Sequence, residues 1–259
     1  MKIISLNIWG GKLFDGLISF VKEQSVDTDV FCFQEVLSTN SKTILSNGFR
    51  TNIFSELEKV LPGFEGVFSS ALEGHDSKER VDFDISYGLA IFYKKNIKIL
   101  DIGHYFVHLA HNQATEEGHA FPRNMQYLNF EYKNNKYTLM NFHGLYDRDN
   151  EKLDTPERLE QSKKIKKYTN ESSKNSKVIL LGDFNLLPNT KSIGIVEKDM
   201  KNLIKIHNIT STRNKHFRHF HKYPLYADYA IVSPDINVKD FKVLEDEISD
   251  HAPLQLIIE

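Results

Sequence analysis

The chain has 259 residues, of which 40% are hydrophobic, and a formal net charge of −2. This length suits one large domain, over residues 1–259, that buries roughly three quarters of its unfolded surface. The charge excludes a strongly basic nucleic-acid binder, and the single cysteine, Cys32, excludes a disulfide framework within the chain. No run reaches transmembrane length, and the first residues lack the apolar core of a signal peptide. We therefore expect a cytoplasmic protein without membrane insertion.

The first segment of the chain predicts a strand, a helix and a second strand. Residues 3–9 form an apolar run, 13–24 carry apolar residues at helical spacing, and 29–35 form a second apolar run. Asn7 and Glu35 stand near the ends of the two predicted strands. The carboxyl ends of strands are where α/β sheets usually place their sites.

Strands outnumber helices in the rest of the chain. One helix is predicted over 52–60, and another begins with Thr155 as N-cap and Pro156 in the first turn and runs to about residue 170. Hairpins and crossovers are mixed, so a two-sheet sandwich flanked by helices fits better than a doubly wound parallel sheet. Further strands are predicted over 64–71, 87–93, 97–100, 125–132, 136–143, 178–181, 229–232, 241–244 and 254–258.

Three segments, 73–86, 103–123 and 207–227, are expected to be long surface loops, which in a compact domain are often functional. The third interleaves cations with aromatic residues, a combination that can hold a nucleic-acid backbone and stack its bases. A solvated loop with a few buried aromatic side chains is the alternative. The residues concerned are Arg213, Lys215, His216, Arg218, His219, His221 and Lys222, with Phe217, Phe220 and Tyr223 between them.

Six short motifs place carboxylates, amides and histidines at the ends of apolar runs. Taken singly, each of them could be a turn or a capped strand end. Together they supply what a metal-assisted attack on a phosphate ester needs: oxygen ligands for a hard cation, a group that orients water, and imidazoles for the phosphoryl charge. The motifs are Leu6-Asn7, Gln34-Glu35, Asn141-Phe142-His143, Gly182-Asp183-Phe184-Asn185, Asp228-Tyr229 and Ser249-Asp250-His251.

In their order and spacing, these motifs resemble those of the endonuclease/exonuclease/phosphatase superfamily, the group that contains pancreatic deoxyribonuclease. The matching residues span 6–251, nearly the whole chain. The resemblance implies an α/β fold of the α+β type: a four-layer sandwich in which two packed mixed β-sheets are flanked by helices. It also implies a hydrolase that depends on Mg²⁺, which Mn²⁺ can replace.

The resemblance implies a role for each motif residue. Glu35 corresponds to the principal magnesium ligand, and Asp250 and Asn7 complete or orient the metal's shell. A hard cation takes carboxylate oxygens and keeps several waters.

On the catalytic side, Asp183 corresponds to the residue that activates the attacking water, and Asn185 holds that water or a phosphoryl oxygen. His251 faces the scissile phosphate, Asp228 fixes its tautomer, and His143 contacts a phosphoryl oxygen or assists the leaving group. The role of general base is assigned jointly to Asp183 and His251.

Three further residues are candidates for substrate contact. Arg123 precedes a strand that the resemblance places near the site, and Arg213 belongs to the cationic loop. Some nucleases of the superfamily carry an acidic residue two positions after the first asparagine, which can serve a second metal. Here that position is Trp9, which favours one metal and can line the mouth of the site.

The expected substrate is a phosphodiester, with nucleic acid favoured and no protein partner indicated. One alternative is a phosphatase or phosphodiesterase acting on a nucleotide, an inositol phosphate or sphingomyelin. The other is a catalytically inactive binding protein. Because inactive relatives lose metal ligands or water-orienting residues, the presence of Glu35, Asp183, Asn185, Asp250 and His251 argues against the second alternative.

Overall fold

Two six-stranded mixed sheets contain the strands, which are ordered β11-β12-β1-β2-β4-β3 and β5-β6-β7-β8-β10-β9. The computed structural model describes residues 1–40, 47–75, 80–113, 121–147, 150–221 and 225–259. The strands are β1 (Lys2–Asn7), β2 (Val30–Ser38), β3 (Phe64–Glu73), β4 (Ser86–Lys94), β5 (Lys98–His108), β6 (Arg123–Tyr132), β7 (Asn135–His143), β8 (Lys177–Asp183), β9 (Lys201–Asn202), β10 (Asp228–Val232), β11 (Val238–Val243) and β12 (Leu254–Ile258). The helices are α1 (Phe14–Gln24), α2 (Ile53–Val60), α3 (Pro156–Ser172), α4 (Lys191–Glu197) and α5 (Leu203–Ile206).

Alternation along the central strands builds the layers, because successive side chains of a strand point to opposite faces. In β1, Ile3 belongs to the core between the sheets, whereas Ile4 belongs to the core beneath the helices. Helices α1 and α2 cover the outer face of the first sheet, and α3 and α4 pack with the second sheet. The predicted four-layer sandwich with two mixed sheets is therefore confirmed.

Each sheet has one parallel pair at its centre, β1 with β2 and β7 with β8, and the other pairings are antiparallel. Between the two sheets lies a buried amide pair. Gln34 Nε2 donates to Asn141 Oδ1 at 2.7 Å, and Asn141 Nδ2 donates to the carbonyls of Phe33 and Ala90, each at 3.1 Å. These bonds fix how β2 and β4 sit over β7.

The main error of the sequence prediction concerns β5. Residues 97–100 were expected to be a strand and 103–123 a loop, but the strand continues to His108 and the next begins at Arg123. The strand lies at the edge of its sheet, and only one of its residues, Val107, is fully buried, so it lacks the apolar alternation that marks a strand. Helices α4 and α5 were also not predicted.

The predicted start of α3 is confirmed. The Thr155 hydroxyl accepts from the backbone N–H of Arg158 at 3.2 Å, and Pro156 occupies the first turn of α3. Parts of the three expected loops, 76–79, 114–120 and 222–224, lie outside the described residues. Among the residues that are described, no helix is long and apolar enough to cross a bilayer.

Candidate active site

The two central parallel pairs end at the same corner of the sandwich. In the first sheet β1 ends at Asn7, which pairs with Gln34. In the second sheet β7 ends at His143 and β8 at Asp183, and these two residues are paired. Asn7 Nδ2 donates to Asp183 Oδ2 at 3.1 Å, so the strand ends of the two sheets are in contact.

Glu35 reaches this corner through an irregularity in β2. The register between β2 and β4 shifts between Phe33 and Val36, and Glu35 itself has φ of +56°. A positive φ is uncommon for a residue with a side chain, and such positions cluster at functional sites. The shift is a β-bulge, a feature that re-aims a side chain, and here Glu35 Oε1 accepts from Asn7 Nδ2 at 3.0 Å.

Carboxylates are concentrated at this corner. Burial raises the pKa of Glu35 to about 7, the Asn7 hydrogen bond acts in the opposite direction, and the charges of Asp250 and Asp183 raise it further. Glu35 and Asp250 are the more accessible members, with side chains 20% and 13% exposed. Such a set of hard oxygen donors fits a divalent cation, which would relieve the repulsion and favour the ionised form.

Asp183 is the centre of the buried half of the site. Its Oδ1 accepts from the backbone N–H of Asn185 at 2.8 Å. Its Oδ2 accepts from Asn7 and lies 3.6 Å from His143 Nε2 and 3.5 Å from His251 Nε2. Asn185 has φ of +53°, which turns the chain directly after the strand. Both oxygens of Asp183 thus accept a hydrogen bond, and Oδ2 also faces both imidazoles.

Gly182 is required for the end of β8. Its φ is +136°, and a Cβ at this position would lie 2.0 Å from the carbonyl oxygen of Phe142. Only glycine combines this backbone conformation with so close an approach of the neighbouring strand. The glycine of the Gly-Asp-Phe-Asn motif therefore sets the approach of β7 to β8 just before Asp183.

His251 and Asp228 form a buried pair. His251 Nδ1 lies 2.9 and 2.8 Å from the two carboxylate oxygens of Asp228. Burial raises the pKa of Asp228 to about 7. The pKa of His251 is lowered to about 3, mainly by burial and secondarily by the charge of Arg213. Because Nδ1 lies within hydrogen-bond distance of both Asp228 oxygens, we assign Nδ1–H as the donor to Asp228, and Nε2 faces Asp183.

His143 lies on the other side of Asp183. Its Nε2 is 3.8 Å from Glu35 Oε1 and 3.6 Å from Asp183 Oδ2, and its Nδ1 is 3.4 Å from the Tyr87 hydroxyl. The pKa of His143 is lowered, mainly by burial and secondarily by the charge of Arg123. The two imidazoles thus approach one carboxylate from different parts of the chain, His143 from the end of β7 and His251 from the segment before β12.

Sequence comparison identifies the group of proteins to which this arrangement belongs. The profile of the "Endonuclease/Exonuclease/phosphatase family" matches residues 4–251. The chain belongs to this family. Its members are hydrolases that act on phosphoester bonds. A comparison with curated protein sequences found no match.

Solved structures share the fold at low sequence identity. A mannosyl-6-phosphatase from Bacteroides thetaiotaomicron VPI-5482, Bt3783, is 18% identical with a TM-score of 0.73, and the match covers 100% of this chain and 99% of that one. An endonuclease/exonuclease/phosphatase family protein from Leptotrichia buccalis C-1013-b is 17% identical, with coverage of 100% and 99% and a TM-score of 0.71. TDP2 of D. rerio, solved with a single-strand DNA product, is 17% identical, with coverage of 100% and 98% and a TM-score of 0.67.

The family motifs converge, and the three candidates for substrate contact lie at or near them. Trp9 has φ of +52° and donates its backbone N–H to Asn7 Oδ1 at 3.0 Å. Arg123 is buried, and its charge contributes to lowering the pKa of His143. Arg213 Nη1 donates to Asp250 Oδ2 at 2.7 Å. The expectation that 207–227 is wholly a surface loop was wrong, since Arg213 and its neighbour Thr212 are buried.

Two residues near the family motifs were missed by sequence reasoning. Tyr87 lies within β4 and has no local motif. Lys152, which precedes α3 in the chain, is buried. Its Nζ donates to the carbonyl of Tyr226 and lies 5.1 Å from the ring centroid of Phe217. Burial lowers the pKa of Lys152 to about 8. Both residues meet the site only through tertiary packing, which no spacing in the sequence indicates.

Proposed function

We propose that this chain is a single catalytic domain that hydrolyses phosphodiester bonds in nucleic acid by attack of an activated water, with Mg²⁺ as the cation. One observation carries the proposal. Asn7 donates to both Glu35 and Asp183, and thereby joins a candidate cation ligand to a buried carboxylate that faces two imidazoles. Cation, water and phosphoryl group would then share one corner of the fold.

For the cation we assign Glu35 and Asp250, with Asn7 orienting Glu35. A second group, Asp183, Asp228 and His251, also has ligand atoms within 4.8 Å of one another. We favour the first set because both Asp228 oxygens already lie within 2.9 Å of His251 Nδ1, whereas Glu35 and Asp250 are partly exposed. A bound Mg²⁺ would neutralise charge on the phosphate and keep several of its own waters.

For the chemistry we assign Asp183 and His251 to the water. Asp183 Oδ2 orients the attacking water. The proton of this water passes to the pair formed by Asp183 Oδ2 and His251 Nε2, two atoms that lie 3.5 Å apart. Asn185 donates to the phosphoryl oxygen as charge develops, a contribution worth about 3–4 kcal/mol in other enzymes. His143 lies on the opposite side of Asp183, where it contacts a phosphoryl oxygen or assists the leaving group.

For the substrate we assign Arg123 and Trp9 to phosphate and base contacts, with Arg218 exposed on the adjacent loop. Arg213, the third candidate from the sequence, is buried and paired with Asp250, so we do not assign it to substrate contact. The net charge of −2 suits a short or single-stranded contact better than a long duplex, whose binders usually carry a basic face. A similar fold binds a single-strand DNA product in D. rerio TDP2, and another belongs to a mannosyl-6-phosphatase. A small phosphoester is therefore the alternative that the test must separate.

The test is a substrate panel with one preparation of protein. Bis-p-nitrophenyl phosphate, single-stranded and duplex DNA, RNA, nucleotides, inositol phosphates and sphingomyelin are incubated with Mg²⁺, with Mn²⁺ and with EDTA. We expect turnover of the diesters, loss in EDTA and recovery on adding Mg²⁺, with single-stranded nucleic acid preferred. Turnover that survives exhaustive chelation contradicts the cation assignment. Nucleic-acid binding without any hydrolysis would identify an inactive binding protein instead.

A further inference from the structure

Three consecutive residues, Thr212, Arg213 and Asn214, surround the Ser249-Asp250-His251 motif. Thr212 is fully buried, and its hydroxyl accepts from the backbone N–H groups of Ala227 and Asp228 at 3.0 and 3.1 Å. Thr212 also acts to lower the pKa of the Asp228 carboxyl, against the larger effect of burial. The hydroxyl thus holds the backbone of the acid that orients His251.

The next side chain holds Asp250. Arg213 Nη1 donates to Oδ2 of this carboxylate at 2.7 Å, while Oδ1 of the carboxylate lies 3.9 Å from His251 Nε2. Arg213 also forms an antiparallel bridge with His251 through the backbone. The guanidinium therefore fixes one oxygen of Asp250 and leaves the other directed toward the site.

The third side chain holds the backbone of the motif. Asn214 Nδ2 donates to the carbonyl oxygens of Ser249 at 2.8 Å and His251 at 3.2 Å. On the opposite side, the Ser249 hydroxyl donates to the carbonyl of Asn7 at 2.7 Å. The motif is consequently held between the end of β1 and the segment 212–214.

We propose that Thr212, Arg213 and Asn214 form a positioning segment that sets the orientation of the His251 imidazole and of the Asp250 carboxylate. The inference rests on the proposed function and adds residues that act through others. Arg213 and Asn214 hold different parts of the Ser249-Asp250-His251 motif, and Thr212 holds Asp228, the acid paired with His251. Residues that hydrogen-bond the catalytic groups without touching the substrate typically contribute about 10–100-fold to activity, because they fix the orientation of those groups.

The competing explanation is that these bonds only stabilise the fold. A purely structural segment would change the stability of the protein but would leave kcat unchanged in the molecules that remain folded. A positioning segment lowers kcat with little change in KM, since it acts on the orientation of His251 and not on substrate contact.

The decisive comparison is Thr212→Val with Thr212→Ser. Valine has the shape of threonine but lacks the hydroxyl, whereas serine retains it. With bis-p-nitrophenyl phosphate and Mg²⁺, we expect Thr212→Val to lower kcat by ~10–100-fold with KM changed less than about threefold. Thr212→Ser should stay within about threefold of wild type in both constants. Circular dichroism establishes that each variant is folded at the assay temperature.

A second readout does not need turnover. The Nδ1 proton that His251 donates to a buried carboxylate at 2.8 Å should give a slowly exchanging downfield resonance in the ¹H NMR spectrum. It is assigned by its absence in His251→Ala. We expect Thr212→Val to shift or broaden this resonance and Thr212→Ser to retain it. Lys174→Met, at an exposed position after α3, is the control and should leave the resonance unchanged.

The outcomes separate the two proposals. An unchanged kcat or an unchanged resonance in folded Thr212→Val overturns the positioning segment. If Thr212→Val does not fold, Asn214→Ala decides by the same two readouts. If the wild-type protein hydrolyses no phosphoester, the proposed function fails, and the resonance alone tests the segment.

Discussion

The two central strand pairs, one in each sheet, deliver side chains to the same corner in different ways. In the second sheet, β7 and β8 keep their pairing to the last residue, where His143 faces Asp183. In the first sheet, β2 loses its register with β4 at the point where Glu35 turns to positive φ. One half of the site thus comes from regular strand ends and the other from a local distortion.

The difference in accessibility follows the same division. The Asp183 and His143 side chains are 1% and 6% exposed, whereas that of Glu35 is 20% exposed. Burial away from water strengthens the hydrogen bonds that orient the catalytic side chains. A bound cation, in contrast, needs an open position for water and substrate. The bulge thus provides what a regular strand end does not, a carboxylate that is accessible to solvent.

Glu35→Gln tests the bulged half and should have the largest effect. Glutamine keeps the shape and the bond from Asn7 but removes the charge that a cation requires. We expect turnover to fall by ~10³-fold or more and Mn²⁺ binding, measured by calorimetry, to be lost. Undiminished Mn²⁺ binding in this variant would place the cation elsewhere, with the Asp183, Asp228 and His251 group as the alternative.

The same variant should not weaken the cation-free fold. The pKa of Glu35 is raised to about 7, so ionisation opposes folding, and this cost grows as the pH rises from the ordinary glutamate pKa through 7. In EDTA at pH 8, Glu35→Gln should therefore unfold at the same or a higher temperature than wild type. A lower midpoint would mean that the carboxylate stabilises the bulge.

Asp183→Asn and His251→Ala test the regular half. Each should lower kcat by at least ~10²-fold, because each removes one preorganised group that acts on the water. In contrast to Glu35→Gln, the Asp183→Asn protein should keep its Mn²⁺ affinity within about tenfold of wild type, since its carboxylate is assigned to the water. A loss of Mn²⁺ binding as complete as that of Glu35→Gln would remove the distinction between the two halves.

The same division explains what the sequence could predict. The motif residues Asn7, His143 and Asp183 end apolar runs, and regular strands carry such polar ends to a predictable edge. The bulge at Glu35 had no signal, because a register shift depends on the pairing with β4. Tyr87 was missed for a related reason: it lies at the start of β4, in the other sheet, and meets His143 only when the sheets pack.

Asn141→Leu tests the buried connection between the two sheets. The substitution removes the side-chain donor to the carbonyls of Phe33 and Ala90 and one acceptor of Gln34 Nε2. We expect the free energy of unfolding, measured with urea, to fall by about 2–3 kcal/mol, the cost of leaving buried polar groups unpaired. Asn175→Ala, at an exposed position after α3, should change it by less than about 0.5 kcal/mol.

The smallest effect should come from the exposed cations beside the corner, which separate the two substrate classes. Lys215 is paired with Glu247, whereas the structure describes no acidic partner for Arg218. We expect Arg218→Met to lower the salt dependence of single-stranded DNA binding by a slope of about 0.7, and Lys215→Met to lower it less, because Glu247 already offsets that charge. Fluorescence anisotropy over a salt series measures both slopes. Equal and unchanged slopes would mean that a phosphate chain does not cross this loop, and a small phosphoester would then be the better substrate assignment.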